Sequence, residues 1–163
     1  MAQVTQYPTA DIAVSGVWTT PANVQADDGA VATTTVAAKN TTVDRRQGTY
    51  GFDAVIPAGS TINNVWIEVE HRVTTTAGIA NLENRTKVGG VANTVNTDTA
   101  EPTVLTARVY DETAKRTWVR ADLLDGTLET EIQARSGNNA TSVTYEWDYV
   151  RMRVDYTPLA ADD

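Results

Sequence analysis

The chain has no cysteine, one histidine and one phenylalanine in 163 residues. Without cysteine there is no disulfide, no thiolate metal ligand and no cysteine nucleophile, and the composition suits folding in a reducing compartment. The single imidazole, His71, excludes a histidine-rich metal site, and any acid–base mechanism built on imidazole must use that residue. Leu and Lys, both strong helix formers, are scarce. No apolar run approaches the roughly 20 residues of a membrane-spanning helix, and the opening Met-Ala-Gln-Val-Thr-Gln lacks the basic cluster and apolar stretch of a signal peptide, so no membrane partner is expected. Positive charge is outnumbered as well. A formal net charge of −8 and a pI near 4.6 argue against a sequence-independent hold on nucleic acid, whose phosphates demand a positive surface. The acidity is read as a solubility device.

What the chain does have is threonine and valine, which favour extended backbone through β-branching. Its most informative run is Val143 to Tyr156. Val143, Tyr145, Trp147 and Tyr149 alternate with Thr144, Glu146 and Asp148; from Val150 the apolar set becomes Val150, Met152, Val154 and Tyr156, interleaved with Arg151, Arg153 and Asp155. A period of two is strand geometry, and one strand can keep both halves buried only by taking in an extra residue near Tyr149–Val150 or by changing sheet there. The reading is a β-bulge in a two-layer sandwich.

A second long strand is expected over Val65 to Val73, with Val65, Ile67, Val69, His71 and Val73 on one face and Trp66, Glu68, Glu70 and Arg72 on the other. Val55 to Ser60, with Pro57 and Gly59, reads as a turn, and Gly48 to Phe52 as the strand before it. Val104 to Tyr110 and Leu128 to Arg135 alternate as strands. Trp118 to Leu124 reads as one helical turn ended by Asp125-Gly126, and Ser136 to Asn139 as the turn into the final strand. Asn81 to Pro102 is polar and loop-like, with a short hairpin at Thr86 to Val91, and a loop of that length suggests a contact role. The expected fold is all-β: a two-layer antiparallel, jelly-roll-like sandwich of six to eight strands with one short helical turn. One domain, 16–157, is flanked by an N-terminal arm, 1–15, and a tail, 158–163.

Gly16-Val-Trp18-Thr-Thr-Pro21-Ala-Asn23, followed by Ala26-Asp-Asp-Gly29-Ala-Val-Ala32, resembles the opening of a β-sandwich domain family of bacteriophage structural proteins and related bacterial surface or prophage proteins. In that family a GWTNP phrase leads into ADDGxYAT. The likeness continues through Tyr50-Gly-Phe52, Ile56 to Ile62 with the strand Val65 to His71, Arg116-Thr-Trp118 with Leu123 and Leu124, and Asp148 to Tyr156. The chain departs in Val17 before the tryptophan, in Val31 where an aromatic is usual, and in the enlarged Asn81–Pro102 region. The resemblance implies a virion component assembled in the host cytoplasm, with other virion proteins as partners.

Chemistry-bearing groups are few. His71 shares its strand face with apolar residues, so a half-buried histidine hydrogen-bonded to a neighbour is expected. Glu68 and Glu70, two apart beside Arg72, read as a solvated charged face rather than a catalytic pair. Asp27-Asp28-Gly29 reads as an ordinary turn; if a Ca²⁺ binds anywhere, Asp27 and Asp28 are the candidate ligands, since hard cations want oxygens from a tight loop. No catalytic residue and no cofactor are otherwise expected. Asn40-Thr-Thr42, Asn84-Arg-Thr86 and Asn139-Ala-Thr141 fit the glycosylation pattern by composition alone. Trp18 is expected to seal the end of the sandwich. Trp66, in phase with charged residues, either fills a strand-end gap or presents a flat plate to a partner.

Two functions follow from these readings. The first is a non-enzymatic virion structural protein, a capsid decoration protein or otherwise a collar, tail or fibre component. The second is a carbohydrate-binding module recognising a cell-surface glycan through Trp18 or Trp66. For the first, residues Val4, Tyr7, Ile12 and Val14 of the arm and Trp66 are the expected interface, and a homo-oligomer, a trimer before a dimer, is expected because several copies multiply weak contacts.

Overall fold

The chain, described by a computed structural model over residues 1–76, 80–138 and 142–160, folds into eleven strands among the described residues. They are β1 (Ala2–Gln6), β2 (Ala10–Ala13), β3 (Ala32–Val36), β4 (Thr42–Gly48), β5 (Thr61–Val73), β6 (Asn81–Val88), β7 (Val91–Ala92), β8 (Asn96–Asp98), β9 (Thr106–Asp111), β10 (Leu128–Arg135) and β11 (Val143–Thr157). One sheet runs β1-β11-β5-β9, with β3 also pairing β11; the other runs β2-β4-β10-β6-β7, with β8 also pairing β6. This is the expected all-β antiparallel sandwich, with more strands than the six to eight read from the sequence.

The core lies between the sheets. The first sheet supplies Val65, Ile67, Val69 and Val73 with Tyr145, Trp147, Val150, Met152 and Val154, and the second supplies Leu82, Leu128, Ile132 and Ala134, all buried. The phase change in β11 is resolved by a bulge. Trp147 pairs with His71 and Tyr149 with Glu70, so Asp148 is the extra residue, one position earlier than the sequence pattern indicates. Trp147 and Val150 therefore both point inward, while Tyr149 turns to the outer face and meets the Tyr7 ring edge-on at 6.3 Å. A second slip near the strand end leaves Asn63 of β5 as the extra residue.

Residues 1–15 do not stand apart as an arm. β1 pairs with β11 from Ala2↔Tyr156 to Gln6↔Met152, and β2 pairs with β4. Val4 packs against the core. The reason is that β11 exposes a ladder edge along its second half, and the nearest strand able to satisfy those backbone groups is the chain's own N-terminal segment. The polar stretch 81–102 is likewise woven in, as β6, β7 and β8. Leu82, Asn84, Thr86 and Val88 alternate inward and Glu83, Arg85 and Lys87 outward, so the strand period is present with polar residues at two of its inward positions. The segment 48–52 is not a strand: β4 stops at Gly48, Thr49 and Gly51 take positive φ, and a helical turn, α1 (Phe52–Val55), follows. Short 3-10 turns at Pro21–Val24, Thr113–Lys115 and Arg120–Leu123 add to it; the last lies within the helical turn expected from sequence. Asn139 of the expected Ser136–Asn139 turn, the triplet Asn139-Ala-Thr141 and residues 161–163 of the tail lie outside the described residues.

The two layers are tied at one end by polar contacts. His71 on β5 is fully buried, and its Nε2 lies 2.9 Å from Asp98 Oδ2 at the end of β8. Arg108 Nε, from β9, donates to the same oxygen at 2.9 Å and the Ala100 N–H to Oδ1 at 2.9 Å. Burial holds the imidazole below its ordinary pKa, outweighing Asp98; the hydrogen bond from His71 holds Asp98 well below the carboxylate range. The pair is a neutral imidazole donating to a carboxylate.

Two outcomes are expected. Deleting residues 1–8 removes β1 and uncovers β11, lowering stability by about 2 kcal/mol or more; an unchanged thermal midpoint would count against the strand's role. Because the His71 pKa is depressed on folding, the unfolded chain takes up its proton first as pH falls below about 6.5. Stability is thus lost on acidification from that point, before carboxylates titrate, and His71→Asn flattens the slope between about pH 6.5 and 5 in chemical denaturation.

Candidate functional site

The bulge residue Asp148 organises the most chemically distinctive group on the molecule. The bulge leaves its side chain almost wholly buried, and Oδ1 accepts the Gly29 N–H at 2.9 Å, tying the Asp27-Asp28-Gly29 turn to β11. Gly29 takes φ +78°, which a side chain would resist, and nothing crowds it. Gln25 bridges Tyr149 on the same side. As a result Asp27, Glu70 and Asp148 each place a carboxylate oxygen within 4.8 Å of the others. Arg151 Nη1 stands 3.8 Å from Asp27 Oδ2. Burial raises the Glu70 pKa, helped by its hydrogen bond to Asp148 and then by the charges of Asp148 and Asp27.

Asp27, one of the two metal candidates, belongs to this group; Asp28 does not, its Oδ1 accepting the Ala30 N–H at 2.9 Å in an ordinary turn. Three carboxylates have the hard-oxygen chemistry that Ca²⁺ takes, yet they supply only part of the six to eight ligands it needs. Sequence reading missed Asp148 and Glu70 as partners of Asp27. The signal was the phase break itself, since an extra residue in a strand re-aims its side chain.

Glu68 and Glu70 do not act as a pair. Glu68 is buried and clamped, Oε2 accepting Arg151 Nε at 2.7 Å while Arg153 Nε stands 2.8 Å from Oε1. Arg151 also donates to the Tyr7 hydroxyl at 2.7 Å and lies over the Tyr149 ring at 4.8 Å. The Arg153 guanidinium lies 4.2 Å over Trp66. Trp18 is 8% exposed and packs at 5.3 Å against Trp147. Neither tryptophan therefore offers an open plate. Of the expected interface residues, Val4 and Tyr7 make their contacts within this chain, Ile12 sits opposite Arg46 on β2, and Val14 is exposed. Asn84 of the second glycosylation triplet is fully buried.

The outer face of the second sheet is paired in the same manner. Glu131 on β10 is 1% exposed and receives Arg46 Nε at 3.2 Å, Arg85 Nη2 at 2.5 Å and Lys87 Nζ at 3.7 Å. A shallow cleft of about 190 Å³ beside β3 is lined by Val17, Thr19, Thr33, Thr34 and Thr35. It falls short of the roughly 300–1,000 Å³ of small-molecule sites.

No family model and no curated protein matches the chain. Among solved structures, one described as "CBM4 structure and function" is similar over 94% of this chain and 94% of its own, with a TM-score of 0.51 and 13% identity. At that identity the likeness is one of fold alone, an all-β sandwich.

The Glu70 pKa, raised on folding, means that ionising this group costs stability as pH rises through and above the ordinary carboxylate range. Glu70→Gln is expected to stabilise the protein at pH 7 by about 0.5–1 kcal/mol, the gain fading below about pH 4, where Glu70 is protonated in both states. A variant less stable than wild type at pH 7 would show that the carboxylates are not in mutual repulsion.

Proposed function

We propose that the chain is a non-enzymatic structural protein of a bacteriophage virion, assembled in the host cytoplasm, where it coats or joins other virion proteins as a capsid decoration protein or else as part of the collar, tail or fibre. The observation that carries this reading is that the sequence blocks resembling the virion family are one another's neighbours. The Gly29 N–H of the Asp-Asp-Gly block meets Asp148 at the head of the last block. Trp18 packs on Trp147, one residue before that block. The Gly51 N–H donates to Asp125, the residue after Leu124, at 2.9 Å, and Arg120, between Trp118 and Leu123, donates Nε to the Ile56 carbonyl at 2.6 Å. Residues that meet as a set of struts support a shared scaffold.

The outer faces favour a coat protein over a binding cleft, because away from the carboxylate group at the bulge Glu68 and Glu131 are paired with cations within their own sheets and the Tyr7, Tyr149 and Trp66 rings lie under arginines. Several copies, a trimer at a three-fold site, would multiply weak contacts on a particle. A second reading, a module that binds a cell-surface glycan, draws on the fold shared with the carbohydrate-binding module.

Mass spectrometry of purified virions is expected to find the chain at a fixed copy number relative to the major capsid protein. Absence from the particle rejects the proposal, and tens of copies rather than hundreds would favour tail or collar over decoration. A glycan array with the pure protein is expected to stay blank; specific binding there would favour the second reading.

A further inference from the structure

Away from the carboxylate group at the bulge, the polar residues of β6 and β8 close around one buried charge. Glu112 directly follows β9 and is fully buried. Thr86 donates its hydroxyl to Oε2 at 2.7 Å, leaving Oε1 to two nitrogens: Lys115 Nζ at 2.6 Å and Asn96 Nδ2 at 2.8 Å. The same Lys115 Nζ lies 2.5 Å from the Asn96 amide oxygen and is held from a third side by the Thr94 carbonyl at 2.8 Å. The Asn96 amide is fixed at both ends, since Nδ2 also donates to Asn84 Oδ1 at 2.8 Å. A salt bridge needs only the lysine and the glutamate. Here an amine is pressed against a primary carboxamide, and one carboxylate oxygen touches both the nitrogen that could attack and the nitrogen that could leave.

We infer that Lys115 and Asn96 join in an intramolecular isopeptide bond formed by the protein itself, with Glu112 carrying the protons. Glu112 takes one proton from the Lys115 ammonium, freeing the lone pair on Nζ, which forms a bond to Asn96 Cγ. The proton passes from Glu112 to Nδ2. As the carbonyl re-forms, the Cγ–Nδ2 bond breaks and ammonia leaves, while Nζ gives a second proton to Glu112 and keeps the third. The products are a secondary amide, one ammonia and a protonated Glu112; nothing is oxidised or reduced. The chemistry is that of a nucleophilic amine activated by an adjacent base. Amines rarely attack carboxamides in water, but fixed geometry converts the reaction to a unimolecular one, with effective molarities on the order of 10⁵–10⁸ M for well-oriented groups. The bond would clamp β8, in the second sheet, to the turn that follows β9, in the first, and would close a loop through 97–114.

Intact mass spectrometry of the denatured, purified full chain tests this. The wild type is expected about 17 Da lighter than its sequence requires, the mass of one ammonia lost in amide exchange. A protease digest should contain a branched peptide joining the segments around Asn96 and Lys115. Lys115→Arg keeps a cation beside Glu112 but lacks the amine, and should show the full mass with the same circular dichroism spectrum as wild type. Glu112→Gln should slow formation by about 100-fold or more. A wild type at full sequence mass after prolonged incubation at neutral pH would overturn the inference. So would a mass loss that persists in Lys115→Arg, which would point to succinimide formation at an asparagine instead.

Discussion

The structure depends on the pairing of β11 with β5, the two longest strands, and on the single extra residue that lets β11 serve two faces of side chains. Without the bulge at Asp148, either the Tyr145–Trp147 half or the Val150–Val154 half of β11 would face water. β11 carries more buried apolar side chains than any other strand, and their burial stabilises the fold at roughly 25 cal/mol per Å². β1, β3 and β5 all take their register from β11. The irregularity also has a cost. It brings Asp148 out of the ladder and next to Glu70 and Asp27, so the device that completes the core creates a local excess of negative charge.

A second constraint is how the sandwich handles carboxylates. Glu68, Glu112 and Glu131 are all buried or nearly so, and each has cationic partners: arginines for Glu68, a lysine for Glu112, both kinds for Glu131. A buried charge of this sort adds little net stability when paired and costs several kcal/mol when its partner is removed. The cross-strand pairs of Glu68 and Glu131 therefore act more on register than on energy, since a slip of one residue would leave either glutamate without its cations. Glu112 and Lys115, by contrast, are three residues apart and move together.

Much of the fold was legible because β5 and β10 alternate without a break and β11 does so on either side of one; the bounds of β10, Leu128–Arg135, are those the alternation gives. The bulge was legible as a phase error, to within one residue. What escaped the sequence has physical causes. β6 buries Asn84 and Thr86 where a hydrophobic pattern expects apolar residues, and their hydrogen bonds to β8 and Glu112 replace the missing apolar signal. β1 and β2 are too short to show a period, and only their partners make them strands. At the site, Asp27 could be named from its turn, but Glu70 and Asp148 are distant in sequence and meet it only through tertiary pairing. The face of His71 was legible from its phase, but its full burial was not: a half-buried histidine was expected, and the closure by Asp98 of the other sheet completes its enclosure.

The antiparallel match of Ala2 with Tyr156 means that the chain enters and leaves the sandwich at the same corner. Any tension applied across those two points acts on β1 and β11 as on the halves of a zipper. The backbone bonds between them are loaded one pair at a time, beginning beside the Gln3–Asp155 hydrogen bond, and never share the force as they would if the ends left from opposite corners. The sandwich is thus mechanically soft when drawn by its two ends and stiff when pressed on its faces, where both sheets bear together. A unit of this kind suits poorly a link in a chain under pull.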